Sequence, residues 1–137
     1  MLIFSWVIFM KLIVCLDDNK GMMFNKRRQS RDRVLIANVI ELYKGEKLYT
    51  NEYSGKLFPE NTIEICENPE MVEDGYCFAE NFTVNEEKVD EIIVYKWNRV
   101  YPADTYFNID LENWNLIETV DFEGSSHEKI TREIYRR

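Results

Sequence analysis

The chain is poor in the residues from which metal centres and disulfide frameworks are built. Its 137 residues include one histidine, His127, and three cysteines, Cys15, Cys66 and Cys77, with no C-x-x-C spacing. An odd number of unclustered cysteines indicates neither a disulfide framework nor a zinc site. Each cysteine lies in an apolar run, where a free thiol acts as a small buried hydrophobe. Reduced thiols of this kind favour a cytoplasmic location.

Signatures of several enzyme classes are missing as well. No G-x-G-x-x-G is present, so the sequence lacks the common dinucleotide-binding fingerprint. One histidine cannot build a binuclear metal centre, and Cys15 has no evident base, which argues against hydrolase and nuclease sites. The pair Asp17 and Asp18 is better explained by a turn than by Mg²⁺, because adjacent strand residues point to opposite faces. We therefore expect no metal, and we expect His127 to lie at a hairpin edge.

Positive charge is scarce overall but concentrated in one place. The net charge is −8, from 25 acidic and 17 basic residues, which disfavours general nucleic-acid binding. Six of the basic residues lie between positions 20 and 33, where Asp32 is the one acid, whereas positions 60–80 carry seven acids and no Lys or Arg. A basic edge on an acidic body attracts an anionic ligand locally. A solvated loop and a solvated acidic face are the alternatives.

No apolar run is long enough to make a comfortable transmembrane helix. The first nine residues are apolar, but Lys11 interrupts the run, and neither a preceding positive charge nor a small-residue cleavage site supports a signal peptide. We expect translation to begin at Met10, so that residues 1–9 form an upstream extension and residues 10–137 one domain. A short membrane-associating segment and a lengthened first strand are the alternatives.

The first half of the chain predicts a buried strand followed by a helix. Residues 11–16 form an apolar run, uninterrupted after Lys11, that is typical of a central strand, and residues 17–21 have turn chemistry. Ser30 is the expected N-cap of a helix, with Asp32 in its first turn, where the macrodipole favours an anion. Apolar residues then recur at helical spacing from Leu35 to Tyr43, and Gly45 is the expected stop.

The second half predicts mostly strands. Strands are expected at residues 47–50, 61–66, 76–79 and 91–97, with a short helix at 52–58 and an extended piece at 106–109. Apolar and polar residues alternate in residues 114–122 and 128–136, on either side of residues 124–126. This pattern predicts a terminal antiparallel hairpin, with a helix as the alternative for the last segment. Together these elements indicate an α/β fold: a mixed β-sheet with few flanking helices and a C-terminal hairpin.

Several segments, in order, resemble the dihydrofolate reductase family. Residues 12–22 (LIVCLDDNKGM) are similar to that family's first strand and active-site loop, and residues 89–97 (VDEIIVYKW) to a core strand. Residues 103–107 (ADTYF) are similar to its Gly-Asp-Thr-x-Phe-Pro signature, and the predicted C-terminal hairpin matches its last two strands. The resemblance covers most of residues 11–137 and implies a shortened, divergent dihydrofolate-reductase-like domain.

The resemblance implies one candidate catalytic residue. Asp32 falls at the start of the first helix, where the family keeps the carboxylate that binds the pteridine ring and assists its protonation. That chemistry needs an acid in a partly apolar pocket. A guanidinium of Arg31 or Arg33 near Asp32 would instead hold the carboxylate ionised, and an ordinary first-turn acid is the alternative. If Asp32 serves a pterin site, Asp32→Asn should abolish activity and leave the melting temperature nearly unchanged.

The cofactor side departs from the family. Where the family has Gly-Arg-x-Thr, this chain has residues 51–54 (NEYS), so Ser54 keeps a hydroxyl but Glu52 places a negative charge beside the phosphate position. The glycine pair that lets backbone approach the pyrophosphate is replaced by residues 79–81 (AEN). Like charges at both places disfavour a bound phosphate. We expect no cofactor, with NADPH as the alternative.

These observations lead to one main hypothesis about function. We expect a non-redox domain that binds a small anionic, nucleotide-like or pterin-like molecule, or a protein partner. Asp32 is the candidate catalytic residue, and the candidate ligand-binding residues are Arg27, Arg28, Arg31 and Ser54. Residues 22–24 are expected to form either an apolar lid or part of the core. A minimal NADPH-dependent pterin reductase and an interaction protein without a small ligand are the alternatives.

Overall fold

The computed structural model of the chain describes residues 9–137. The prediction that residues 1–9 are an upstream extension therefore lies, apart from Phe9, outside the described residues. The strands are β1 (Met10–Leu16), β2 (Gly21–Phe24), β3 (Arg27–Arg28), β4 (Leu48–Thr50), β5 (Glu64–Ile65), β6 (Tyr76–Phe78), β7 (Val89–Lys96), β8 (Thr105–Tyr106), β9 (Asn115–Phe122) and β10 (Ile130–Arg136). The α-helices are α1 (Arg33–Leu42) and α2 (Glu52–Gly55). Single 3-10 turns occupy Pro69–Met71, Glu86–Lys88 and Leu111–Asn113.

The apolar run predicted at residues 11–16 lies in β1, which is the central strand of a mixed sheet. Seven strands lie in the order β5-β4-β6-β1-β7-β10-β9. The pairs from β5 to β7 are parallel, whereas β10 is antiparallel to both β7 and β9. The predicted C-terminal hairpin is therefore confirmed, and the helical alternative for residues 128–136 is wrong because β10 forms ladders with strands on both sides.

Apolar side chains cover both faces of the sheet. On one face, Leu12, Val14 and Leu16 of β1 pack with Ile92 and Val94 of β7. The segment between β7 and β9 adds Phe107, Ile109 and Trp114 to this cluster. On the other face, Ile13 of β1 and Ile93 and Tyr95 of β7 pack with Leu35 and Val39 of α1. A central parallel strand buried on both faces reads as an uninterrupted apolar run, which is why residues 11–16 were recognisable.

Helix α1 begins two residues later than its capping pattern predicted. Asp32, not Ser30, is the N-cap, since its backbone is extended (φ −151°) and its carboxylate accepts hydrogen bonds from two N–H groups of the first turn. The helix ends at Leu42, and Gly45 follows with φ +87°, the left-handed conformation that glycine adopts without strain. The apolar stripe that predicted the helix packs on the sheet.

Part of the segment predicted to be a loop is a small second sheet. Strands β2 and β3 form a hairpin whose turn residues Asn25 and Lys26 have positive φ values of 53° and 62°, as a tight hairpin turn requires. Strand β8 pairs with the other side of β2. Met22 and Met23 are buried in the core and Phe24 is exposed, so the first two belong to the core rather than to a lid.

No described helix is long and apolar enough to span a bilayer. Helix α1 has ten residues, and α2 has four.

Candidate functional site

The carboxyl ends of the parallel strands meet the amino end of α1 at one edge of the sheet. In open α/β sheets ligands bind in the crevice at this edge. Here the crevice is bordered by the N-cap residue Asp32 and by the turn that joins β9 to β10, residues 123–129. The local chemistry therefore depends on how that turn meets the helix.

The Asp32 carboxylate is fully enclosed and has no exposed side-chain surface. Its Oδ1 atom accepts hydrogen bonds from the backbone N–H groups of Val34 at 2.9 Å and Leu35 at 3.2 Å. These two donors belong to the first turn of α1, whose N–H groups have no partner within the helix. One half of the carboxylate therefore acts as an ordinary helix cap.

The same carboxylate also binds the β9–β10 turn. The Ser125 N–H donates to Oδ1 at 2.9 Å, and the Ser126 N–H donates to Oδ2 at 2.8 Å. His127 Nδ1 lies 2.9 Å from Oδ2. A carboxylate is an acceptor only, so this contact requires the proton of the imidazole to be on Nδ1. Residues nearly a hundred positions apart are thus joined through one buried acid.

The protonation of Asp32 follows from these partners. Burial by itself raises the pKa of a carboxyl group, but the hydrogen bonds from His127 and from the Ser125, Ser126 and Leu35 N–H groups outweigh it, so the pKa of Asp32 lies well below its ordinary value. The sequence left open that Arg31 or Arg33, if near Asp32 in space, would hold the group ionised. The main stabilising partners are instead the imidazole and the backbone.

The opposite edge of the His127 ring, which carries Nε2, contacts two hydroxyl groups. Its Nε2 atom lies 3.1 Å from Ser30 Oγ and 3.0 Å from the Tyr101 hydroxyl. The ring stacks on Trp97 with 4.6 Å between centroids, and the side chain is 2% exposed. The sequence placed His127 at a hairpin edge. It does lie in the turn, but its side chain is buried. No local sequence pattern indicated its partners, because they are distant along the chain.

Arg28 and Ser54, two predicted ligand-binding residues, contact the same acid. Arg28 donates from Nε and Nη2 to the two Glu80 oxygens at 2.9 and 3.0 Å. Ser54 Oγ donates to Glu80 Oε1 at 2.7 Å. The Arg28 guanidinium also stacks over the Tyr53 ring, 4.3 Å from its centroid. We refer to Arg28, Tyr53, Ser54 and Glu80 as the Glu80 cluster.

A groove of about 680 Å³ runs between α1 and the segment at residues 56–59. We call it the α1 groove. Its lining combines apolar side chains with three cations, and it consists of Arg31, Asp32, Arg33, Ile36, Ala37, Ile40, Lys56, Leu57, Phe58, Pro59 and Ser125. Arg31 is thus the predicted ligand-binding arginine that lines it. Arg27 is exposed on β3, in the small sheet.

A second, much smaller cavity lies beside the α1 groove. Its volume of about 10 Å³ is close to that of one water-sized probe, and Ser30 and Trp97 are among the residues that line it. Arg31, Asp32, Ile36 and Leu57 line both spaces. The two spaces therefore share a wall.

Another groove, beside α2, is acidic. Its volume is about 430 Å³, and it is lined by Asn51, Glu52, Tyr53, Ile65, Cys66 and Glu67. Within residues 9–137 no group of three or more His, Cys, Asp or Glu side chains is arranged to hold a metal ion.

Comparison with known proteins identifies the fold. No protein-family profile and no curated protein matches the sequence. Among solved structures, the chain is similar to the dihydrofolate reductase from Enterococcus faecalis, which was determined in complex with NADP(H) and RAB-propyl. The TM-score is 0.68 at 12% sequence identity, over 96% of this chain and 97% of that one. The fold is therefore dihydrofolate-reductase-like, as the sequence resemblance predicted.

Proposed function

We propose that this dihydrofolate-reductase-like domain binds a small amphipathic anion in the α1 groove, without nicotinamide redox chemistry. The supporting observation is the composition of that groove. A site of several hundred cubic ångströms with an apolar lining and a few charged groups is typical of small-molecule binding.

The charges of the α1 groove favour an anion. Arg31, Arg33 and Lys56 contribute three cations to its lining. The one acid there, Asp32, is already compensated by the donors that surround it. Guanidinium groups suit carboxylate or phosphate because they donate two parallel hydrogen bonds. The charged end of a ligand would bind these cations.

The apolar part of the groove would take a flat or aliphatic body. Ile36 and Ile40 come from one side of α1, and Leu57 and Phe58 face them from the neighbouring segment. Burial of apolar surface is worth about 25 cal/mol per Å², so a ligand body covering such a surface gains affinity without specific hydrogen bonds. Pterin-like and nucleotide-like molecules with an anionic group fit this description.

The residues at the family's cofactor positions favour a site without a dinucleotide. Ser54 and Glu80 bind each other, and Arg28 is paired with Glu80 rather than open to a phosphate. The adjoining groove beside α2 presents the carboxylates of Glu52 and Glu67. Phosphates placed there would meet like charge. NADPH binding through altered contacts is the alternative function, and a protein-interaction role without small ligand is the other.

The test is a titration of the purified protein with four probes: 8-anilinonaphthalene-1-sulfonate, folic acid, AMP and NADPH. Saturable binding of at least one of the first three should be lost or weakened at least about tenfold in Arg33→Glu, because a rim cation becomes an acid. Arg99→Glu makes the same charge change at an exposed position outside the groove and should bind like the wild type.

The outcomes separate the three functions. Binding of an anionic probe that depends on Arg33 supports the α1 groove. Saturable quenching of tryptophan emission by NADPH at micromolar concentration supports the reductase instead. Failure of all four probes to bind or to raise the melting temperature overturns the ligand-binding proposal and favours an interaction protein.

A further inference from the structure

We infer that Ser30, His127 and Asp32 form a hydrolytic site for small carboxylic esters. The sequence inventory argued against hydrolases because it contains one histidine. Serine hydrolysis, however, needs only one histidine, provided that a hydroxyl and a carboxylate lie on its two ring nitrogens. Such arrangements are recognised by geometry and role and not by order along the chain.

The three side chains have this geometry. Ser30 Oγ lies 3.1 Å from His127 Nε2, and His127 Nδ1 lies 2.9 Å from Asp32 Oδ2. Both distances are within the range expected between a nucleophile, its base and the group that orients the base. Asp32 does not reach the nucleophile itself, so it is a positioning residue.

The protons are placed correctly for the reaction. The Asp32 carboxylate accepts a hydrogen bond from His127 Nδ1, so in the neutral ring the lone pair on Nε2 faces the hydroxyl groups of Ser30 and Tyr101. The stacked Trp97 ring holds the imidazole in this orientation. His127 can then accept the Ser30 proton as general base.

Tyr101 supplies a donor for the negative charge that develops on the substrate. Its hydroxyl lies 3.0 Å from the same Nε2 atom that Ser30 Oγ approaches at 3.1 Å, and it is released from that nitrogen once Nε2 takes up the Ser30 proton. A phenol O–H next to the nucleophile can donate to the oxygen of a tetrahedral intermediate. The first-turn N–H groups of α1 are occupied by Asp32 and Ser125, so Tyr101 takes this role.

The reaction balances with water as the second reactant. Ser30 Oγ bonds to the ester carbonyl carbon, its proton passes to Nε2, and the carbon–alkoxide bond breaks as Nε2 protonates the leaving alcohol. Water then attacks the acyl-serine and gives a proton to Nε2, and the carbon–Oγ bond breaks as that proton returns to Ser30. The products are a carboxylic acid and an alcohol.

The space at Ser30 limits the substrate to a small acyl group. The cavity there holds about one water-sized probe, and Leu57 belongs to the wall shared with the α1 groove. The inference therefore requires the shared wall to open towards the α1 groove, because an acetyl group is larger than one water-sized probe. The inference does not rest on the anion site, because an acetyl ester needs no contact with the groove cations.

The first test is covalent labelling followed by peptide mapping. An alkyl fluorophosphonate should react with the wild-type chain at Ser30, where Oγ displaces fluoride and bonds to phosphorus. This measurement needs no variant. Absence of an adduct, or an adduct confined to Tyr101 or to another side chain, overturns the inference.

The second test is hydrolysis of p-nitrophenyl acetate. Ser30→Ala should lower kcat/KM at least about 100-fold, whereas Tyr101→Phe should lower kcat about 10- to 100-fold and leave the adduct on Ser30. Thr119→Ala removes a hydroxyl from exposed strand β9 and should match the wild type. Wild-type turnover in Ser30→Ala overturns the inference, even if the anion probes still bind.

Asp32 needs a readout that separates positioning from folding. The proton on His127 Nδ1, which is donated to a buried carboxylate, should give a far-downfield proton NMR signal. That signal should persist in Ser30→Ala and disappear in His127→Gln. Its absence from the wild type contradicts the proposed positioning of His127 by Asp32.

Discussion

His127 Nδ1 lies 2.9 Å from Asp32 Oδ2, and this contact ties the β9–β10 turn to the amino end of α1. Neither side chain is exposed by more than 2%. The carboxylate that the family resemblance assigned to a pterin pocket is therefore surrounded by donors of its own chain. Its catalytic role in pterin chemistry stays a prediction, while its role in joining two elements has direct consequences for stability and pH dependence.

Asp32→Asn should destabilise the fold strongly, contrary to the small effect expected from the sequence. An amide offers one acceptor oxygen and introduces N–H groups opposite buried donors from Ser126 and His127. Unsatisfied buried donors cost about 1–3 kcal/mol each, so we expect a loss of about 3 kcal/mol or more in the free energy of unfolding. Urea denaturation followed by tryptophan emission measures it.

The matched control for this change is Asp74→Asn. Asp74 is exposed in the turn before β6, so the same isosteric change there should alter the free energy of unfolding by less than about 0.5 kcal/mol. Equal midpoints for Asp32→Asn and the wild type would mean that the buried contacts contribute little.

The stability of the fold should fall in acid because of Asp32. Its folded-state pKa lies below the unfolded value of about 3.9, so the unfolded chain takes up the proton first as the pH falls. The stabilisation is therefore fully present above about pH 4 to 5 and is lost as the pH drops further. Urea midpoints at pH 7, 5, 4 and 3 should decline less steeply in Asp32→Asn than in the wild type; parallel declines would contradict this assignment.

Gly124→Ala should displace the β9–β10 turn from α1. A β-carbon at position 124 would lie 2.9 Å from Asp32 Cγ and 2.8 Å from Ile130 Cδ1, closer than van der Waals contact allows. Forced overpacking of this kind costs about 1–3 kcal/mol. Thermal denaturation should show a clear loss, with the exposed neighbour Glu123→Ala near the wild type. An unchanged melting temperature for Gly124→Ala would show that the turn moves freely.

Glu80→Gln should test how strongly the Glu80 cluster is held. Arg28 and Glu80 are 19% and 8% exposed, and loss of the carboxylate leaves the guanidinium without its charged partner. We expect a loss of about 2 kcal/mol, less than for a fully buried pair because Arg28 reaches solvent. Glu118→Gln, which disrupts the more exposed pair with Arg132, should cost less than about 1 kcal/mol. Equal effects of the two changes would show that burial of the Glu80 pair adds nothing.

Much of the fold was predictable from the sequence because strand and helix periodicities are local. The apolar run of β1, the stripe of α1 and the alternation of β9 and β10 each place one face of an element against the core. The ADTYF segment and the order of elements indicated the dihydrofolate-reductase-like fold, which the structural comparison confirms. The hairpin of β2 and β3 was missed because its short strands follow one another within a basic segment that resembles a loop.

The sequence by itself indicated the main strands, helix α1 and their order, because their periodicities are local, and the family resemblance singled out Asp32. Only the tertiary structure decided what Asp32, Ser30 and Arg28 contact, since Asp32 and Ser30 lie 95 and 97 positions from His127, and Arg28 lies 52 positions from Glu80. His127 meets Asp32 and Ser30 only when β10 pairs with β7 and the turn that precedes β10 lies against the amino end of α1. Contacts of this kind depend on sheet register, which no local pattern records.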